Sequence, residues 1–250
     1  MLNYKLAELK SQGYTSIDGL LSPEELKDIG IKIDKAVSGE MPNIDIKWNE
    51  RVKYWVIQNP LVMDSCLLRC ALSTACLGIA ERYFRRMPYL ADVDMRRIPP
   101  ADMESIELGG HSSSNWHRDT RGRQLKMMIY LTDVDKNDSN FSFLPGSHIS
   151  AFRRKLDYAA SRFSDAEITN MQTEPIEWYG KAGSVMLFDT NLIHRLRRKP
   201  TSKVRDSITF YYTPGQNVRL LKFDKSALAQ CISSKAEVLQ NPSWPLNMRN

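Results

Sequence analysis

Trp116-His117-Arg118-Asp119, taken with Gly183-Ser184-Val185-Met186-Leu187-Phe188 and the His194 beyond it, decides how this chain folds. Residues two apart on an extended strand project to the same face, so His117 and Asp119 can offer an imidazole and a carboxylate to one ion from a single strand. A strand cannot curl round to supply a third vertex. The run 183–188, entered through the turn-like Tyr179-Gly180-Lys181-Ala182, reads as a second strand. His194 follows it, 77 positions after His117. Two imidazoles and one carboxylate make the facial donor set of non-haem Fe(II), with coordination positions left open for chemistry. Two strand ends meeting at one ion imply a β barrel or sandwich with the metal at its mouth or interior.

A His-x-Asp pair alone is commonplace, and such residues usually sit on the surface or satisfy core hydrogen bonds. Here the chain has only four histidines, and two stand where the triad needs them. Arg205 comes 11 positions after His194. Arg205, Ser207 and Thr209 alternate with the largely apolar set Val204, Ile208 and Phe210, Asp206 being the exception. That is a strand with one polar face. A guanidinium and a hydroxyl on that face suit a carboxylate, the guanidinium bidentately. An ordinary strand whose polar face meets water would read the same way.

These pieces together resemble the phytanoyl-CoA dioxygenase-like family of Fe(II)/2-oxoglutarate-dependent oxygenases, over most of the chain. The resemblance starts at Gly13-Tyr14-Thr15-Ser16-Ile17-Asp18-Gly19-Leu20-Leu21-Ser22-Pro23-Glu24-Glu25-Leu26, similar to that family's N-terminal strand and first helix. It continues through the His-x-Asp segment and Phe143-Leu144-Pro145-Gly146-Ser147-His148, and closes with 183–188, His194 and Arg205. It implies a mainly β double-stranded β-helix (a cupin-like jelly-roll barrel) with flanking helices. It implies iron on His117, Asp119 and His194, and Arg205, assisted by Ser207, on the distal carboxylate of 2-oxoglutarate. It also implies O2 as oxidant, with release of succinate and CO2. Two positions depart from the pattern. The loop before Pro145 reads Asp138-Ser139-Asn140-Phe141, and position 196 is Leu196 where some relatives place a hydroxyl. Asp119 is retained. A Gly or Ala there would open a halide site, so hydroxylation of a small metabolite is expected rather than halogenation. A catalytically silent jelly roll and a cupin-like metalloenzyme that does not use 2-oxoglutarate are the alternatives.

A chain of 250 residues can bury a sizeable core as one domain. No apolar run approaches a membrane span, and Met1-Leu2-Asn3-Tyr4-Lys5-Leu6-Ala7-Glu8 lacks the apolar core of a signal peptide, so a cytoplasmic location is the default expectation. Four cysteines suggest no disulfide framework. Cys66 and Cys70 fall at helical spacing with Cys76 nearby, and buried reduced thiols are expected rather than a metal site. Ser22-Pro23-Glu24-Glu25 is a helix start with a capping box, predicting a helix to about Val37. A second long helix is expected over Met63 to Arg86. Strands are expected near 90–97, 115–120, 125–132, 141–144, 184–189 and 205–212. A helical insertion is expected over about 150–178, with a second capping box at Ser164-Asp165-Ala166-Glu167, as lid or oligomer surface. A last helix is expected at about 225–239, before the irregular tail Asn241-Pro242-Ser243-Trp244-Pro245.

The formal net charge is +6, and Arg195, Arg197, Arg198, Lys199 and Lys203 crowd the stretch between His194 and Arg205. This points either to an anionic small-molecule substrate or to a solvated loop. Nucleic acid is not expected, since the stretch lacks interleaved aromatics for base stacking. Lys126, in the strand-like Leu125-Lys126-Met127-Met128-Ile129-Tyr130-Leu131, contacts 2-oxoglutarate or an anionic substrate if its face points inward, or else snorkels at a strand edge. Arg96 and Arg97 point to opposite faces of their strand, so one of them can line a cavity. His148 reads as a loop-stabilising residue, Trp116 and Tyr130 as core, and His111 has no assignment.

Overall fold

The computed structural model describes residues 2–50, 53–108, 114–119, 123–149 and 161–214. In chain order these form α1 (Leu2–Gln12), β1 (Tyr14–Ile17), α2 (Pro23–Val37), β2 (Ile46–Asn49), β3 (Tyr54–Ile57), α3 (Ser65–Ala71), α4 (Thr74–Phe84), β4 (Tyr89–Ile98) and α5 (Met103–Leu108). There follow β5 (Trp116–His117), β6 (Leu125–Tyr130), β7 (Asn140–Phe143), β8 (Arg162–Phe163), α6 (Asp165–Asn170), β9 (Ile176–Trp178), β10 (Val185–Asp189), β11 (His194–Arg197) and β12 (Arg205–Thr213). One sheet runs β1-β10-β6-β12-β4-β3-β2 and the other β8-β5-β11-β7-β9. Every pairing between described strands is antiparallel. This is the expected double-stranded β-helix, two facing sheets with helices on the outside of the larger one.

Strand parity divides the larger sheet into a greasy side and a working side. Met127 and Ile129 of β6, Val185 and Leu187 of β10, and Ile208, Phe210 and Tyr212 of β12 are buried in one cluster with Leu9, Ile29, Ile33, Leu67, Leu68 and Ile79 of the helices. The alternate residues point to the second sheet, where Met128, Tyr130, Met186 and Phe188 meet Phe141 and Phe143 of β7. Burial of this kind contributes about 25 cal/mol per Å² of apolar surface, so each half-strand is fixed in register by two different cores. Tyr212 adds one polar tie, donating from its hydroxyl to the Ala71 carbonyl at 2.8 Å.

The capping box at Ser22 forms in full: Glu25 N–H donates to Ser22 Oγ at 3.2 Å and Ser22 N–H to the Glu25 carboxylate at 2.9 Å. Ser164 and Glu167 repeat it at α6. Several expectations need correction. The helix expected over 63–86 is two helices, because Ser73 takes an extended conformation (φ −51°, ψ 122°) and starts a new helix there. The segment 150–178 is not wholly helical: residues 150–160 lie outside the described residues, and β8 and β9 flank the short α6. The strand expected over 115–120 stops at His117. His194 follows the strand expected over 184–189, which is β10, and itself opens a further strand, β11, that was not expected. The expected helix at 225–239, the tail after it and His111 lie outside the described residues.

No helix among the described residues is long and apolar enough to cross a membrane. Cys66, Cys70 and Cys76 are buried free thiols, and burial pushes Cys70 and Cys76 up to about 12, which removes their thiolate character.

Candidate metal centre

His117 closes β5 and His194 opens β11, and the two are direct partners across the antiparallel ladder. Their side chains therefore leave the sheet side by side, with ring centroids 4.3 Å apart. Each ring is locked by its own backbone. The Nδ1–H of His117 donates to the Asn115 carbonyl at 2.8 Å, and that of His194 to the Leu192 carbonyl at 2.7 Å. Carbonyl oxygens only accept, so these bonds place the proton on Nδ1 and leave the Nε2 lone pairs facing the cavity.

Asp119 sits two residues past the end of β5 and is held by long-range backbone bonds. Its N–H donates to the Thr190 carbonyl at 3.0 Å, and the neighbouring Arg118 N–H donates to the Ser161 carbonyl at 2.9 Å. The turn containing Thr190 is itself fixed, since Asp189 accepts from the Tyr83 hydroxyl at 2.5 Å and from Asn191. One carboxylate oxygen of Asp119 is 3.9 Å from His117 Nε2 and the other is 3.8 Å from His194 Nε2. The three candidate ligand atoms all lie within 4.8 Å of one another, the one cluster of this kind among the described residues.

The electrostatics keep the set in its ligating state. Burial lowers both imidazoles, the charge of Asp119 opposing it, and His194 falls to about 3. Burial alone would raise Asp119, but Lys126, then His194 and His117, outweigh it and hold the carboxyl well below the usual carboxylate range. At neutral pH the cluster is therefore two neutral imidazoles and one carboxylate, the protonation states that bind a divalent cation.

These residues line one end of a cavity of about 400 Å³. Its large-sheet wall is built by parity. Arg205, Ser207, Thr209 and Tyr211 of β12 alternate with the core-facing Ile208 and Phe210, and Lys126 and Met128 of β6 lie beside them. The polar face of β12 meets this cavity, not bulk water. Arg205 is buried, and its guanidinium lies over the Tyr130 ring at 4.9 Å. Among the described residues its Nη2 approaches only the Met128 sulfur, at 3.7 Å, and Nε and Nη1 are buried with no hydrogen-bond partner. Buried donors left open in this way call for a partner, and a carboxylate in the cavity supplies one. Two fixed imidazoles, an ionised carboxylate and an open buried guanidinium on one cavity fit both Fe(II) and a dicarboxylate chelated to it.

Lys126 faces inward, as one reading of its strand required, and its Nζ donates to Asp119 at 2.8 Å. Arg96 is the inward member of its pair, lining the cavity beside the Tyr54 ring and ion-paired with Asp94. Arg97 faces out and is bidentate on Asp206 at 2.9 and 2.7 Å. Ser207 and Leu196 line the cavity, while Trp116 and Tyr130 are buried and His148 bonds the Lys10 carbonyl. The basic stretch after His194 is largely paired internally, and half-buried Arg198 donates to the Lys53 carbonyl at 3.4 Å. Arg195 pairs with Asp165, Arg197 and Lys199 with Glu177, and Lys203 with Asp135 and Asp138. Tyr54, Asp94 and Tyr211 escaped the sequence reading. Tyr211 was findable as the next residue of the 205-207-209 series, whereas Tyr54 belongs to β3, for which no strand was expected.

The family model for phytanoyl-CoA dioxygenase (PhyH) matches residues 9–207. An ectoine dioxygenase of Nocardia farcinica (strain IFM 10152) is 22% identical over 242 residues, 88% of this chain and 80% of the relative. Two solved structures share the fold. The alpha-ketoglutarate-dependent carbocyclase SnoK of nogalamycin biosynthesis has TM-score 0.63 at 19% identity, covering 84% of this chain and 83% of that one. The epimerase SnoN, in complex with Fe3+, alpha-ketoglutarate and nogalamycin RO, has TM-score 0.61 at 14% identity, covering 90% and 91%. A match over this much of the chain, from within α1 to the start of β12, makes the protein a member of the phytanoyl-CoA dioxygenase family of iron- and 2-oxoglutarate-dependent oxygenases.

Proposed function

We propose that this chain oxidises a small metabolite, by hydroxylation, with His117, Asp119 and His194 holding Fe(II) and Arg205 holding the distal carboxylate of 2-oxoglutarate. One observation carries the reading: the three candidate ligand atoms converge on a cavity whose wall holds a buried guanidinium with two nitrogens unpartnered among the described residues. When bound, the iron and its co-substrate supply oxidative decarboxylation to succinate and CO2 and the oxidising power that attacks a substrate C–H. The chain's own residues do the rest. Asn115 and Leu192 carbonyls orient the imidazoles, Thr190 fixes the Asp119 backbone, and Phe141 and Phe188 pack beside His194 with ring centroids at 5.3 and 5.5 Å. Ser207 lies beside Arg205 on the cavity face as a second donor to the co-substrate.

Hydroxylation is favoured over halogenation because Asp119 occupies the third ligand position. The neighbours described as a carbocyclase and an epimerase mark other outcomes of the same oxidant. The deciding experiment is a metabolite screen for substrate-stimulated succinate formation, with the product analysed after reaction under ¹⁸O2. Hydroxylation adds one labelled oxygen; ring closure or epimerisation adds none. Asp119→Ala and His194→Ala are expected to abolish iron-dependent succinate formation, and undiminished turnover in either would refute the ligand assignment.

A further inference from the structure

Lys126 is a half-buried ammonium whose carboxylate partner is also a candidate metal ligand. Its side chain is 13% exposed, lines the cavity, lies over the Tyr211 ring at 4.7 Å and donates to Asp119 at 2.8 Å. Without metal, the pair is balanced. Once a divalent cation engages Asp119, that carboxylate no longer answers Lys126 alone. Asp119 and one carboxylate of the co-substrate then match the metal's two charges, and the other carboxylate matches Arg205. Arg96 is matched by Asp94. Among the metal, the co-substrate, Asp119, Lys126 and Arg205, one positive charge is left over in a low-dielectric cavity, and Arg162, which lines the same cavity, is itself a cation and does not answer it.

We propose, building on the oxygenase reading, that Lys126 is a substrate-anion anchor. On this view the substrate carries a carboxylate or comparable anionic group that docks on the ammonium beside the metal. This anchor also makes the selectivity: a neutral isostere would leave the ammonium unmatched. Within the basic stretch 195–203, Arg195, Arg197, Lys199 and Lys203 are already held by their own ion pairs.

The test uses wild-type protein, Lys126→Met and Lys126→Arg, each as the anaerobic Fe(II)–2-oxoglutarate complex, followed by its visible charge-transfer band. The probes are acetate and its neutral isostere acetamide. In the wild type acetate should perturb the band saturably, and acetamide should not. Lys126→Met should raise the acetate midpoint at least tenfold while moving the 2-oxoglutarate dissociation constant less than threefold, and Lys126→Arg should restore much of the acetate response. Equal acetate midpoints in wild type and Lys126→Met, or equal responses to acetate and acetamide, would overturn the anchor. So would a tenfold loss of 2-oxoglutarate affinity in Lys126→Met, which would assign the lysine to the co-substrate. If wild type forms no band with iron and 2-oxoglutarate, the oxygenase reading fails first and the anchor falls with it. A normal band without a lysine-dependent acetate response sinks the anchor alone.

Discussion

Arg205 is a costly residue for a folded chain to keep, since its guanidinium is buried with two nitrogens unpartnered among the described residues. Burial disfavours its charge, partly offset by Tyr130 and aggravated by Arg96. A carboxylate in the cavity turns that liability into binding energy. Removing one partner of a buried, hydrogen-bonded charge pair costs about 2–5 kcal/mol, and each 1.4 kcal/mol is tenfold. Arg205→Ala should therefore weaken 2-oxoglutarate binding roughly 30-fold or more. Arg205→Lys should recover only part of the loss, because a point charge cannot reproduce the bidentate fork. Calorimetric titration of the co-substrate into the Ni(II)-loaded protein measures this without turnover. Unchanged affinity in Arg205→Ala would put the anchoring cation elsewhere.

At the scale of elements, the proposed metal site depends on turns and short strands more than on long ones. Gly13 joins α1 to β1 at φ +84°, and a Cβ there would stand 2.7 Å from both His148 Nδ1 and Leu192 Cδ1. Its carbonyl also accepts from Asp189 N–H, in the turn that leads to His194. Gly13→Ala should thus cost about 2 kcal/mol or more, combining left-handed strain with overpacking. It should also weaken metal binding, because Leu192 belongs to the turn before the proposed ligand His194. Urea denaturation and a Co(II) titration test both, and a neutral outcome in both would show that this junction does not hold the turn. The same scale explains what the sequence made legible. Parity read β12 correctly, and Arg205, Ser207 and Thr209 do face the cavity. The capping boxes at Ser22 and Ser164 form as expected because they need only local residues. What escaped was set by distant partners. β5 and β8 are two residues each and exist only because the ladder completes them. Within 65–84 no proline announces the helix break at Ser73, whose conformation is a tertiary choice. The pairing of Lys126 with Asp119 joins a strand to a loop, and no spacing rule predicts which anion an inward lysine will meet.

Across the whole molecule, the three described histidines are all buried and all depressed. His117, His148 and His194 are each lowered first by burial. An unfolded histidine titrates near 6.5. Between that value and the lower folded ones, the unfolded chain binds more protons, so stability rises with pH through the window. Above about 6.5 neither state is protonated and the penalty vanishes. As pH falls the penalty grows, and for His194 it continues to about 3. Asp119 acts in the same direction at lower pH, because its folded value lies below the usual carboxylate range and its stabilisation is lost as acid protonates it. For His194 alone, holding the ring neutral at pH 5 costs about 2 kcal/mol at 1.4 kcal/mol per unit. The metal-free protein, kept so with chelator, should therefore be about 2 kcal/mol or more less stable at pH 5 than at pH 7.5 by urea denaturation. His194→Gln, which cannot titrate, should reduce that difference markedly while binding no metal. If the wild-type stabilities at the two pH values were equal, the imidazoles would not be held neutral by burial. The cavity would then lack the low dielectric on which the proposed anion selectivity of Arg205 and Lys126 rests.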